Sequence, residues 1–383
     1  MASFPHRTVE EACIIEYGTR VVRRLHAGSI HPVYGGGGET FFVDDFNRED
    51  RTIISRFGMS PECVRHVQGR FFLNDSGLTI APRDHKLFGQ RYLNYWAFWM
   101  ASRIFELGRG SAQRNLDIDG FRRLPIPAMA MPIQDDITAF LDEAFAGIAK
   151  LTANVERNIS HCNELYATIS ANEFAGRSHW SERSLKEVCE KITDGTHQTP
   201  KYFDSGYIFL SSRNVTSRRI DWDNVKFIDH IQHLEMQRRV SPRLGDVLLA
   251  KNGTTGVAAL VDRDVKFDIY VSLAHLRPLS MLRSRFLLHF VNSPIAKRQF
   301  NSRLKGAGVP NLHLEEIREV RIRFPETLEE QDKVVEQIER LQTAVDKITN
   351  AQRSKLATIA DLKKSLLQKS FAGQLTDASA ITA

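Results

Sequence analysis

A long helical pattern that occurs twice constrains this chain more than any other feature of its sequence. The first copy is predicted from about Ile133 to Phe174 and the second from about Glu330 to Phe371. In the first, apolar residues fall at Ile137, Leu141, Ala144, Ile148, Leu151, Val155, Ile159, Cys162, Leu165 and Ile169. In the second they fall at Val334, Ile338, Leu341, Val345, Ile348, Leu356, Ile359, Leu362 and Leu366, each 197 residues after a member of the first set. Gln352, opposite Val155, is the one break. Steps alternating between three and four residues lay one stripe along one side of a helix. A stripe that narrow, sustained for about ten turns, reads as a coiled-coil seam. Gln134 and Gln331 open the two helices, and Phe174-Ala175-Gly176 and Phe371-Ala372-Gly373 close them. Two such helices in one chain most simply pack on each other. The expected fold is α+β, with two mixed α/β domains in pseudo-two-fold repeat separated by two long antiparallel coiled-coil helices.

The repeat extends into the segments ahead of the helices. Arg183-Ser-Leu-Lys-Glu-Val-Cys189 echoes Arg7-Thr-Val-Glu-Glu-Ala-Cys13 at a spacing of 176, and Gly195-Thr196 echoes Gly18-Thr19 at 177. Leu248-Leu-Ala-Lys-Asn-Gly253 follows Ile53-Ile-Ser-Arg-Phe-Gly58 at 195, and Asn311-Leu312 follows Asn115-Leu116 at 196. About 18 extra residues therefore fall between Gly195 and Leu248. The chain divides into 1–128 and 177–325 as domains, 129–176 and 326–375 as helices, and 376–383 as a frayed tail. Ile53-Ile54, Phe71-Phe72-Leu73 and Leu78-Thr79-Ile80 read as strands between turn formers. A helix is expected over Tyr92–Leu107, its aromatics as core. Residues 177–183 read as a polar connector. The glycines Gly35 to Gly38 precede Glu39-Thr40-Phe41-Phe42-Val43, which has strand character. A turn between strands fits them better than a phosphate loop, which needs Gly-Lys-Ser/Thr leading into a helix.

Composition excludes several classes. Four cysteines, Cys13, Cys63, Cys162 and Cys189, form no CxxC pair, so there is no zinc or redox signature. Their use fits a reducing cytoplasm. No window approaches the roughly 18 uninterrupted apolar residues of a membrane span. A net charge of +6 permits a nucleic-acid partner without demanding one. There is no Walker loop and no Asn-Pro-Pro-Tyr/Phe methyltransferase tetrad. His197 beside Thr196 and Thr199 is the one thinkable acid–base group, although loop histidines in such settings more often bind or cap.

Several segments carry a family resemblance. They are Asp194-Gly-Thr-His-Gln-Thr-Pro-Lys-Tyr202, Gly206-Tyr-Ile-Phe-Leu-Ser-Ser-Arg-Asn-Val215, Gly245-Asp-Val-Leu-Leu-Ala-Lys-Asn-Gly-Thr-Thr-Gly256 and Leu366-Leu-Gln-Lys-Ser-Phe-Ala-Gly-Gln-Leu375. Over about Arg7 to Leu375 the chain resembles the specificity subunits of Type I restriction-modification enzymes. The first domain is the less typical copy, with Tyr17-Gly-Thr-Arg20 in place of the Asp-Gly-Thr-His run. The resemblance implies a non-catalytic, cytoplasmic chain whose two target-recognition domains each read half of a bipartite site in double-stranded DNA. The helices would set the spacer and dock two methyltransferase subunits, and two restriction subunits would complete the nuclease. S-adenosylmethionine, ATP and Mg²⁺ would belong to those partners, and no cofactor or metal to this chain.

Phosphates are met by Lys, Arg, hydroxyls and amides, and base edges mostly by Arg, Lys, Asn and Gln. On that chemistry the DNA-contacting candidates of the first domain are Arg20, Arg23, Arg24, Tyr34, Arg56, Arg109, Gln113 and Arg114. Those of the second are His197, Gln198, Lys201, Tyr202, Ser212, Arg213, Asn214, Lys251, Asn252, Thr254 and Thr255. Arg56 and Lys251 stand out, since each follows a pair of aliphatics and comes shortly before a glycine. A solvated surface charge is the alternative at every one of these positions. The competing functions are a coiled-coil scaffold without DNA binding and a hydrolase using His197 or a cysteine. A nearer variant is a specificity subunit for a methyltransferase–nuclease fusion.

Overall fold

The structure, a computed structural model, describes residues 4–216, 218–252, 255–303 and 311–374. The expected tail 376–383, Thr254 and the glycine-rich run before Asn311 lie outside the described residues. The chain divides into two compact units, Met1–Val155 with Arg353–Ala383, and Glu156–Gln352. Each unit therefore takes half of each long helix.

In the first unit the strand His6–Thr8 pairs antiparallel with Pro125–Pro127. Thr8 and Glu11 then close a capping box over the helical turn Val9–Ala12, satisfying two otherwise orphan amides. The main sheet has six strands in the order Cys13–Tyr17, Gly77–Pro82, Arg48–Ser55, Val64–Leu73, His31–Gly35 and Gly38–Val43. Only the Val64–Leu73 and His31–Gly35 neighbours run parallel. The helix expected over Tyr92–Leu107 is two, Gln90–Trp99 and Ala101–Glu106. The break is at Met100, whose φ of −86° and ψ of 3° leave the α region. Tyr92 and Trp96 are fully buried in the core, so those aromatics pack as the sequence suggests. Gly36 and Gly37 make the two-residue turn of the His31–Gly35/Gly38–Val43 hairpin, closed by the Gly35–Gly38 pair.

The second unit repeats the plan. Ser181–Ser184 pairs with Arg321–Phe324, so the expected connector 177–183 ends inside a strand, its backbone amides taken up by that ladder. Ser184 and Glu187 form the matching capping box over Leu185–Val188. A four-stranded sheet runs Cys189–Asp194, Leu273–Pro278, Val247–Ala250, Val257–Leu260, and a three-stranded sheet runs Lys226–Ile228, Tyr207–Leu210, Phe267–Ile269. Here too one pair is parallel, Tyr207–Leu210 with Phe267–Ile269. The extra residues carry a helix, His230–Arg239.

The long helices span Met131–Ala175 and Leu328–Phe371. Gln134 and Gln331 anchor their starts identically. Gln134 accepts from the Gly89 amide and donates to the Leu87 and Met129 carbonyls. Gln331 accepts from the Arg283 amide and donates to the Met281 and Pro325 carbonyls. Two turns on, a carboxylate on each helix is gripped by an arginine and a ring four residues later. Asp142 takes Arg91 and the Tyr95 hydroxyl, and Glu339 takes Arg285 and His289. The helix ends dock by aromatics: Phe371 stacks on Trp99 in the first unit, and Phe174 meets Phe286 and Phe290 in the second.

Most of the expected stripe is buried or partly buried, and it departs from the expectation at four positions. Leu151, Leu165, Ile348 and Leu362 are about half exposed, at 53%, 55%, 46% and 46%. The more buried positions are their neighbours Thr152, Tyr166, Thr349 and Lys363. Two three-four phasings run through these helices, and the buried one includes polar residues, so selection by apolarity alone picked the adjacent leucines. Gln352, the apparent break, is partly covered and belongs to the buried phase.

Candidate nucleic-acid interface

In the first unit, loops gather around the turn Asn74–Ser76 through four main-chain hydrogen bonds and one from a main-chain amide to a side-chain hydroxyl. The Thr19 amide donates to the Leu73 carbonyl (2.9 Å), Asn74 to Tyr34 (2.8 Å), Arg56 to Ser76 (2.8 Å) and Leu116 to Arg56 (2.8 Å). The Gly36 amide donates to Ser76 Oγ at 3.0 Å. The second unit builds the same set around Tyr270–Ser272. Thr196 donates to Ile269 (3.1 Å), Tyr270 to Leu210 (2.9 Å), Lys251 to Ser272 (2.9 Å) and Leu312 to Lys251 (2.9 Å). The Ser212 amide donates to Ser272 Oγ at 3.0 Å. Arg56 and Lys251 therefore occupy one equivalent backbone position, as do Gly36 and Ser212. This narrows the insertion of the second unit to the stretch between Ser212 and Lys251. Two glycines at the entrance, Gly18 and Gly195, lie against the Asn74 and Ile269 carbonyl oxygens with no room for a Cβ.

The side chains on this shared scaffold differ. In the first unit the Arg56 guanidinium lies 4.5 Å from the Tyr17 ring centroid and 4.7 Å from that of Phe57, and it donates to the Asp75 carbonyl at 3.1 Å. Tyr17 and Phe57 are each 41% exposed, so the arginine sits in an open aromatic clamp. In the second unit the equivalents of Tyr17 and Arg56 are Asp194 and Lys251, and both are buried. Lys251 Nζ lies 3.2 Å from Asp194 Oδ2, and Arg239, from the inserted helix, reaches Asp194 Oδ1 at 2.5 Å. Burial alone would raise the Asp194 carboxyl. The Arg239 hydrogen bond and the Lys251 charge outweigh it and hold the group below the usual carboxylate range.

The other predicted residues divide by what already holds them. Arg20, Arg23, Arg24, Gln113, Gln198 and Arg213 are exposed. Arg109 is exposed but pairs with Asp117 at 2.5 Å. His197 is exposed and touches Asp194 and Arg239. Lys201 is fixed through its backbone to Gln232. Tyr202 carries the Lys226 ammonium 3.8 Å above its ring. Tyr34 donates to Glu39, and burial raises its hydroxyl pKa. Ser212 and Thr255 are half-buried. Three expectations of a free polar side chain are corrected. Lys251 is withdrawn into its ion pair. Asn214 is buried and spent on Ser211, Asp221 and Asn224. Arg114 donates to the Phe105 and Gly108 carbonyls and covers the Phe105 ring. Asn252 keeps a buried Oδ1 without a partner among the described residues. Tyr17, Phe57, Asp194 and Arg239 were missed. The first and third stood in the matched runs Tyr17-Gly-Thr and Asp194-Gly-Thr; nothing in the sequence marks Arg239.

The family model for the Type I restriction modification DNA specificity domain matches residues 177–358. That stretch, just under half of the chain, is similar to a Type I restriction modification DNA specificity domain. Relatives of this domain agree. The chain is 23% identical over 202 residues to the Type I restriction enzyme EcoBI specificity subunit of Escherichia coli, covering 51% of this chain and 42% of that one. To the EcoKI specificity subunit of Escherichia coli strain K12 it is 21% identical over 300 residues, covering 72% and 63%. The matches thus span less than two thirds of these relatives' own lengths. A chain from a solved structure on complex assembly and conformational transition of the type I R-M system shares the fold, with TM-score 0.71, 16% identity and coverage of 97% and 98%.

Among the described residues no group of three or more His, Cys, Asp or Glu could hold a metal ion. Burial pushes the Cys13 and Cys189 thiols up to about 12, so neither is a nucleophilic thiolate near neutral pH. His275 hydrogen-bonds Asp246 at 2.6 Å but is fully buried, out of reach of any substrate. No described helix is long and apolar enough to cross a membrane.

Proposed function

We propose that the chain is the non-catalytic specificity subunit of a Type I restriction-modification complex, working in the cytoplasm. Each unit carries a target-recognition domain that reads one half of a bipartite site in double-stranded DNA. The two long helices form an antiparallel coiled coil that sets the unread gap and docks two methyltransferase subunits, with two restriction subunits joining the full enzyme. S-adenosylmethionine, ATP and Mg²⁺ belong to those partners. The observation that carries this reading is the loop set built twice by the same five hydrogen bonds and furnished with different side chains. A duplicated scaffold with unlike surfaces suits two half-sites of unlike sequence. A scaffold protein without DNA has no use for two diverged heads.

Within this reading Arg56 is the half-buried cation held between two exposed rings. Arg56→Ala is expected to weaken DNA binding by the assembled methyltransferase several-fold. It should also lower the slope of log affinity against log salt by about one, the mark of one lost phosphate contact. Affinity and slope both equal to wild type would remove Arg56 from the interface.

The helices contain 45 and 44 residues, a length of about 66 Å at roughly 1.5 Å per residue. The Gln134, Gln331, Asp142 and Glu339 anchors support their use as a ruler by fixing each head to its helix. Inserting one turn into one long helix is expected to change the number of unread base pairs in the methylated site. An unaltered gap would mean that the helices do not set it.

A further inference from the structure

One corner of the repeat is filled in the second unit and open in the first. In the second unit, Arg218 from the insertion covers the Tyr166 ring at 5.6 Å and donates to Gln342 Oε1 at 3.3 Å. The positions 197 residues away are Lys363 and Phe145, and there the first unit has a cavity of 1230 Å³. The Lys363 ammonium lies 5.1 Å from the Phe98 ring and 4.8 Å from the Phe145 ring. It has no carboxylate within ion-pair distance among the described residues, and burial lowers its pKa. Arg51 on the cavity wall is already spent, its Nη1 donating to the Glu49 carbonyl at 3.2 Å. Two of the three carboxylates on the walls are engaged, Asp142 with Arg91 and Tyr95 and Asp50 with the Gly69 amide. The third is Glu62, and the site thus offers one ammonium, that of Lys363, without a carboxylate partner between apolar faces.

We propose that this cavity receives an acidic side chain from a segment of the methyltransferase subunit, its carboxylate meeting Lys363 and its neighbours packing on Phe98 and Phe145. The inference rests on the specificity-subunit reading above. The volume exceeds the roughly 300–1,000 Å³ typical of small-molecule sites, which favours a polypeptide segment. A walled, half-apolar cavity does not suit duplex phosphates, which need an open basic surface. Because Arg218 occupies the equivalent corner of the second unit, the acidic segment is required by one methyltransferase copy only.

The test is native mass spectrometry of the chain co-expressed with its methyltransferase subunit. It would compare wild type with Lys363→Glu, Lys363→Arg and Ala149→Trp, the last filling the cavity from its exposed rim. Wild type and Lys363→Arg are expected to carry two methyltransferase copies. Lys363→Glu and Ala149→Trp should each retain one, with the other weakened roughly thirtyfold, the size of a hot-spot loss. Two copies on both disruptive variants, or loss of both copies from either, overturns the proposal. So does loss of DNA binding with two copies retained, which would make the cavity a nucleic-acid contact. A wild-type chain that binds no methyltransferase overturns the specificity-subunit reading itself.

Discussion

Replacing Asp194 with alanine is expected to cost the fold about 3–5 kcal/mol, the usual loss when one partner of a buried ion pair is removed. Lys251 is 5% exposed and Asp194 is 3% exposed, so the lysine would be left as an uncompensated charge in a dry site. Arg239 is about half exposed and recovers solvation, so its share is small. The Asp194→Asn variant keeps an acceptor but not the charge and falls in between. The carboxyl is depressed in the folded state. Its contribution is therefore present above its unfolded pKa of about 4, and is lost as pH falls through the lower folded value. Asp194→Ala should accordingly flatten the acid side of the stability profile. Urea unfolding measures both effects, and a loss below about 1 kcal/mol would show that the pair is solvated. Lys251→Ala, which leaves Asp194 with Arg239 and His197, should cost less. It should also leave the salt dependence of DNA binding unchanged, unlike Arg56→Ala at the equivalent position.

Gly195→Ala is expected to abolish the folded loop set of the second unit, at a cost above about 4 kcal/mol. Its Cβ would overlap the Ile269 carbonyl oxygen. That carbonyl cannot yield easily. It already accepts from the Thr196 amide, and the Val271 amide returns to the Thr196 carbonyl at 2.9 Å. Gly18→Ala should do the same through the Asn74 carbonyl oxygen. Gly37→Ala is the control: nothing lies within 4 Å of its Cβ, and a change within about 0.5 kcal/mol is expected. Circular dichroism and thermal unfolding of the three variants check the contrast. A stable Gly195→Ala would mean that the turn can move aside, and with it the claim that the loops share one rigid frame.

The repeat was legible because backbone needs leave marks in sequence. Gly18-Thr19 and Gly195-Thr196 recur where two turns must touch a carbonyl. Gln134 and Gln331 recur where three main-chain groups need one amide side chain. Side-chain fate was less legible. Arg56 and Lys251 look alike in sequence and share a backbone position, yet one is half-buried between two exposed rings and the other is buried. Their partners decide this: Tyr17 and Phe57 in one unit, Asp194 and the remote Arg239 in the other. Asn214 and Arg114 were misjudged for the same reason, since a polar residue spent on nearby carbonyls or amides reads like a free one. The helix stripe erred where two phasings compete, because Thr152, Thr349 and Lys363 take the more covered positions beside more apolar residues.

Mapping methylated adenines in DNA from cells that co-express the chain with a Type I methyltransferase subunit from the same source tests the central claim most directly. The account predicts a bipartite motif with a fixed unread gap. Exchanging the first unit's loop residues should alter only one half of it. A continuous motif, or no methylation despite a stable complex, would contradict the claim that the two units are separate readers of one site.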